Sequence, residues 1–288
     1  MHALSKYSSF DAIKISPCKT RRYEHNNQRG DRMNILYNFF AREVEFDSGL
    51  RLFGTLHIAI SAFFLILYAL LIFFRKYLRK FGHFKIICRT MAAVLFMNML
   101  IHYTGRIAIG EWHFSEDLPL HICFAANFFM MYILWTDNKH NLFSVIYYFT
   151  LIGPLPAAVF PDLSRTWSGY LFWQFIISHH VMLLFSLYCA FVLEYETSLK
   201  HAAYAFISGN VYVAAMSVFN TVFSTNYIML GELPKQLYLI FPFLYNLPAF
   251  AWLELAGLSA LISAYAMWAI IEKRPPLKEQ QAHGNRII

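Results

Sequence analysis

Charge is what this sequence has least of. Asp, Glu, Lys and Arg make up only 14% of its 288 residues, against 58% hydrophobic; soluble domains carry roughly 25% and 45–50%. A water-soluble fold of this length could not hide so much apolar surface. Cysteine is also scarce: Cys18, Cys88, Cys123 and Cys189 are widely spaced and form no paired metal or redox motif, which argues against a disulfide framework. No internal period repeats, so an inverted-repeat transporter architecture gains no support. Residues 1–32 lack the apolar core of a cleavable signal peptide, so the first span is expected to direct insertion itself.

What is present is a recurrence of apolar runs near the ~20 residues a helix needs to cross the hydrocarbon core. The runs are Leu52–Phe74, Ile86–Ile109, Leu118–Trp135, Leu142–Phe160, Leu171–Leu193, Ala202–Phe223 and Leu247–Ile271. The expected fold is all-α: a polytopic membrane bundle of about seven transmembrane helices. One domain over 48–272 carries them, between a polar N-terminal tail (1–47) and a short basic C-terminal tail (273–288). Met33 follows a segment that a ribosome-binding-like stretch could encode, so translation is expected to start there; the alternative is a disordered polar extension. Leu237–Tyr245 is apolar but too short to span, and is expected at the interface or as a re-entrant turn.

The net charge of +7 does not point to nucleic acid, for which no motif exists. Arg75, Lys76, Arg79, Lys80, Lys85 and Arg89 crowd the loop between the first two runs, where basic residues set orientation and contact anionic lipid head groups. Membrane lipids are therefore the expected partners. A cytoplasmic loop here places the chain in the cell membrane with its N-terminus outside and its C-terminus inside. Arg106, Arg165 and Lys235 are then the outer loop charges.

Ionisable groups inside lipid are costly and mark functional candidates. Asn98, His102 and Arg106 recur every four residues, one stripe along the second run. His57, Ser61 and Tyr68 make a comparable face on the first, and Asn210, Ser217, Thr221 and Ser224 on the sixth. Such faces are expected to look inward, either at partners as structural glue or at water. In the expected orientation His121 and Asp162 lie at the outer ends of runs three and four. His179 and His180 lie ~12–14 Å into run five, and Glu254 ~10 Å into run seven. The ionisable groups therefore converge on one half of the bilayer, as a polar cavity open to one side would require. His179 and His180 stand about 100° apart on a helix, so His179 is expected to face inward and His180 to support it. His121 and Cys123, two residues apart, point away from each other and make no local nucleophile pair.

With these residues in place, a pattern emerges. Glu116-x-Leu118-Pro119-Leu120-His121-x-Cys123, Pro161-Asp162-Leu163, Phe175-Ile176-Ile177-Ser178-His179, and Asn226-Tyr227 with Asn220 ahead of it together resemble the YwaF-like bacterial integral membrane protein family. The likeness spans nearly all of the membrane domain. It implies a multi-pass protein of the cytoplasmic membrane, with animal relatives similar to acyltransferases that remodel ether phospholipids. In those a cysteine immediately before the first histidine is implicated; here that position is Leu120 and the cysteine follows at Cys123. His121 and His179 carry over.

The leading functional expectation is acyl transfer or ester hydrolysis on a lipid or small-molecule substrate. His179 or His121 acts as base, Asp162 orients it, and Cys123 or a bound hydroxyl is the nucleophile. His102, His180, Glu254, Asn220 and Asn226 are expected to line the site. A proton-coupled transporter relaying through Glu254 and His102, and a membrane protein without catalysis, are the alternatives. Zinc would want three or four ligands, and His121, Asp162, His179 with His102 or Glu254 are of the right type. No single-helix ligand pair marks them, and no metal or other cofactor is assigned.

Overall fold

A computed structural model describes residues 31–41, 53–136, 140–161, 169–231, 233, 237–238 and 241–272. Every regular element among them is helical. The start-site expectation concerns residues that lie largely outside this set.

Five stretches are long and apolar enough to cross a bilayer. They are α2 (Thr55–Phe73), α4 (Phe84–Ala108), the paired α7 (His140–Ile152) and α8 (Pro154–Val159), α9 (Tyr170–Phe191) and α10 (Leu199–Phe223). Between α7 and α8 the helix breaks at Gly153, because Pro154 has no N–H to continue the ladder. The two other expected spans are not confirmed among the described residues. Helix α6 (Ile122–Trp135) has 14 residues, a rise of ~21 Å against ~30 Å of hydrocarbon. The residue before a proline is pushed into extended backbone, and Leu118 obeys, with ψ 144°. His121 is extended too, and the helix starts only after it. In α11 (Ala249–Glu272) the described apolar stretch is Phe250–Ala266.

The helices alternate in direction, and their contacts define two ends. At the basic end, α3 (Arg75–Phe81) is tied to the close of α9: Arg79 pairs with Glu194 at 2.6 Å and donates to the Phe191 carbonyl at 2.6 Å. Arg89 lies over the Trp135 ring there. The opposite end gathers the start of α2, the close of α4, the short α5 (Phe114–Asp117), the start of α6 and the close of α10.

Leu95, Met130, Tyr148, Met182 and Phe185 form a fully buried apolar centre between α4, α6, α7 and α9. In lipid, packing and hydrogen bonds hold helices together more than water exclusion does. Asn98 supplies such bonds. Its amide donates to Ser178 Oγ at 2.8 Å and to the Gln174 carbonyl, and its oxygens accept from the Tyr170 hydroxyl. Thr150 and Ser186 join α7 to α9 at 2.8 Å.

The inward polar face expected on α10 is not formed. Ser217 and Thr221 are exposed, and each donates to the carbonyl four residues back in its own helix, at 2.9 and 2.8 Å. A hydroxyl can satisfy itself this way without a partner helix.

Helix α1 (Asp31–Phe40), inside the stretch read as polar tail, packs on the bundle. Tyr37 and Ala41 bury against Ile109, and Phe39 and Phe40 meet the Tyr170 ring. Phe40 sits so close to Gly105 that a Cβ there would fall 2.2 Å from its ring.

Candidate functional site

The polar end is built around a sharp reversal after α10. Ser224, Ile228 and Met229 all hold left-handed backbone, with φ of 52°, 52° and 60°, which costs non-glycine residues ~1–3 kcal/mol each unless surroundings enforce it. Asn220 enforces it: its oxygen accepts from Thr225 Oγ1 at 2.7 Å and the Tyr227 N–H at 2.9 Å, and its amide donates to the Tyr227 carbonyl at 2.8 Å. Asn226 accepts from the Gly231 N–H at 2.7 Å. Both asparagines, expected as binding groups, make these described bonds as fasteners of the turn.

The turn buries Tyr227 and delivers it to the Leu-Pro-Leu-His segment. Its hydroxyl donates to the Phe114 carbonyl at 2.5 Å and accepts from the Leu118 N–H at 3.0 Å. Tyr212 adds a bond to the Leu120 carbonyl at 2.7 Å. His121, at the N-terminus of α6, stacks edge-on to Tyr227 with centroids 5.3 Å apart, and its Nδ1 accepts from the Ile228 N–H at 3.3 Å. That acceptance fixes the ring: a nitrogen that takes a hydrogen bond carries no proton, so Nε2 carries it. His121 therefore presents a donor at Nε2. Cys123, two residues further, lies within electrostatic reach of Tyr103 and Tyr212.

Arg106 closes this end from α4. It is 1% exposed, and its Nη2 meets Asp117 Oδ2 at 2.9 Å. The same oxygen accepts from the His113 N–H at 2.8 Å. Neither Asp117 nor a buried Arg106 was visible as a functional residue in the sequence, where charge counting assigns Arg106 to an outer loop. The four-residue stripe through Asn98 and His102 was the available signal. His102 is buried beside it, its ring 5.0 Å from Tyr103 and 5.9 Å from Phe124.

The histidines of α9 part company. His180 shares a 2.6 Å hydrogen bond with the Tyr68 hydroxyl and stacks on Phe64 at 3.8 Å, joining α9 to α2. His179 Nδ1 bonds the Phe175 carbonyl at 2.7 Å. A carbonyl only accepts, so this Nδ1 carries a proton, and in the neutral ring Nε2 holds the basic lone pair. His57, near the start of α2, accepts from the Phe53 N–H at 2.9 Å, the same tautomer as His121. The described contacts thus join His121 to Asn220, Asn226 and Tyr227, take His180 to α2, and hold His179 by its own helix. Glu254 is partly buried on α11. Asp162 lies outside the described residues. Among the described residues no three His, Cys, Asp or Glu side chains converge to hold a metal ion.

A family model, that of the TMEM164 family, matches residues 52–271, which take in every side chain just described from Phe53 to Glu254. The chain belongs to the TMEM164 family. It is a multi-pass membrane protein of that family. It is also similar to an uncharacterized protein of Treponema pallidum (strain Nichols), 28% identical over 196 residues, covering 66% of this chain and 79% of the relative. No solved structure matches it.

Proposed function

We propose that this chain is a membrane-embedded enzyme of lipid acyl groups, transferring an acyl chain or hydrolysing its ester at the polar end of the bundle. The observation that carries this reading is that the two rings are held at Nδ1 by opposite partners, His179 by the Phe175 carbonyl and His121 by the Ile228 N–H. In the neutral rings this leaves a basic Nε2 on His179 and an N–H at Nε2 on His121. Acyl transfer needs both, one atom to take a proton from the nucleophile and one to donate to the developing oxyanion. The resemblance to ether-phospholipid acyltransferases, through the same two histidines, points the same way.

In this reading Cys123 Sγ or the hydroxyl of a bound acceptor gives its proton to His179 Nε2 and bonds to the acyl carbonyl carbon. The tetrahedral oxygen takes a hydrogen bond from His121. The ester C–O bond then breaks, and the leaving alkoxide recovers the proton from His179. Where Cys123 attacked, water or the acceptor hydroxyl gives its proton to His179 and bonds to the thioester carbon, and the C–S bond breaks to return the thiol with that proton. The Phe175 carbonyl orients the His179 ring, the part that Asp162 was expected to play. The basic end faces the cytoplasm, by the excess of Lys and Arg in inner loops, and the polar end faces outward.

The test is an acyl-transfer assay of purified full-length protein with a phospholipid donor and a lysolipid or water as acceptor, read by mass spectrometry. Lipidomics of a deletion strain accompanies it. His179→Ala is expected to abolish product, and His121→Phe to lower the rate by roughly 10²–10³, the usual cost of one oxyanion donor. Unaltered lipids in the deletion strain together with no acyl product from the wild type would remove the idea.

A further inference from the structure

Arg106 holds more hydrogen-bonding capacity than its ion pair uses. A guanidinium offers five N–H donors and meets a carboxylate best as a two-pronged fork. Here only Nη2 reaches Asp117, through one oxygen that also serves the His113 N–H. Arg106 Nε and Nη1 are buried and have no hydrogen-bond partner among the described residues. The Tyr103 hydroxyl, three residues earlier on the same face of α4, is likewise buried without a partner. It lies within electrostatic reach of Asp117, Cys123 and Tyr227, so it belongs to the same locale as both the ion pair and the site.

Orphaned buried donors are expensive, the more so when charged. A purely structural Arg–Asp pair has no use for two further donor nitrogens and a hydroxyl left without acceptors. Asp117 cancels the charge of Arg106 and fixes its position, and the remaining donors then define a place for an acceptor-rich anion. Phosphate oxygens suit such donors, because an N–H edge and an O–H can be shared among several oxygens.

We propose that Arg106 and Tyr103 form a buried seat for a phosphate oxyanion, with Asp117 as the positioning residue. The lipid identity of that ligand, a phosphate-bearing head group, rests on the lipid-processing reading above; the anion seat itself does not. Seated there, the phosphate would hold a glycerolipid by its head at the end of the bundle where Cys123 and His121 lie.

The experiment measures binding, without turnover. Delipidated full-length protein in detergent is titrated with dioleoyl phosphatidylglycerol, with dioleoylglycerol carrying the same acyl chains, and with sodium phosphate. Thermal shift and native mass spectrometry report retention. The phospholipid is expected to bind at least roughly tenfold more tightly than dioleoylglycerol, the worth of a charged hydrogen bond. Tyr103→Phe, which keeps the ring, and Arg106→Gln are each expected to remove most of that preference. Stabilisation by sodium phosphate alone, lost in the same variants, would support the seat and make free phosphate its source. Equal retention of both lipids, or a preference untouched by Tyr103→Phe, would overturn the seat. Should Arg106→Gln fail to fold, Tyr103→Phe still decides. A protein that binds phospholipid selectively yet transfers no acyl group would sink the enzymatic reading and leave this one standing.

Discussion

Tyr227 does more positioning than any other single side chain at the polar end. Its hydroxyl bonds both Phe114 and Leu118, and its backbone is clamped by Asn220. Tyr227→Phe would remove the partner of the Phe114 carbonyl and the Leu118 N–H, two half-buried bonds, so a loss of about 0.5–1.5 kcal/mol is expected, seen as a lower midpoint of thermal unfolding in detergent. Asn220→Ala should cost at least as much, because three left-handed residues lose their clamp. At this scale the sequence was informative where chemistry is local. The motif histidines could be picked out as rare polar groups in apolar runs, and so could the Asn98 stripe. Arg106 could not be read correctly, because an arginine in the last turn of a helix looks like a flanking charge until Asp117 is found eleven residues later, folded back on it.

Among elements, α4 decides how the bundle closes. One face meets α9 through Asn98, and Gly105 lets α1 lie flat against it. Gly105→Leu would drive a side chain into the Phe40 ring, so α1 is expected to lift away; limited proteolysis after residue 41 should then release an N-terminal fragment that wild type protects. Membrane insertion should be unchanged. Hydropathy windows located the five long helices well; the count of seven is not confirmed among the described residues, since a window scores apolarity and not backbone. Pro119 shortened α6 although its residues are apolar enough. On α10 the same kind of pattern misled in the other direction, because Ser217 and Thr221 answer their own carbonyls, and period alone cannot tell a self-satisfied hydroxyl from one that seeks a neighbour.

For the molecule as a whole, the basic and polar ends make orientation a measurable quantity. In a cysteine-free background, His113→Cys is expected to react with a membrane-impermeant maleimide on intact cells, and Lys80→Cys only after permeabilisation. The reverse pattern would place the site in the inner leaflet without dispersing it. The all-helical, multi-pass character was legible from composition. The convergence of α4, α6 and α10 was legible only as shared depth, since which helices adjoin is a property of packing that spacing along one chain does not encode.

The rise of helix α6 is about 9 Å less than the thickness of the hydrocarbon, and the helix is cut short at the His121 end. Lipids respond to such a mismatch by thinning. The bilayer should dimple beside His121, carrying ester carbonyls and water down to the histidine, so that in the proposed reaction a substrate need not be hauled out of its leaflet to be reached.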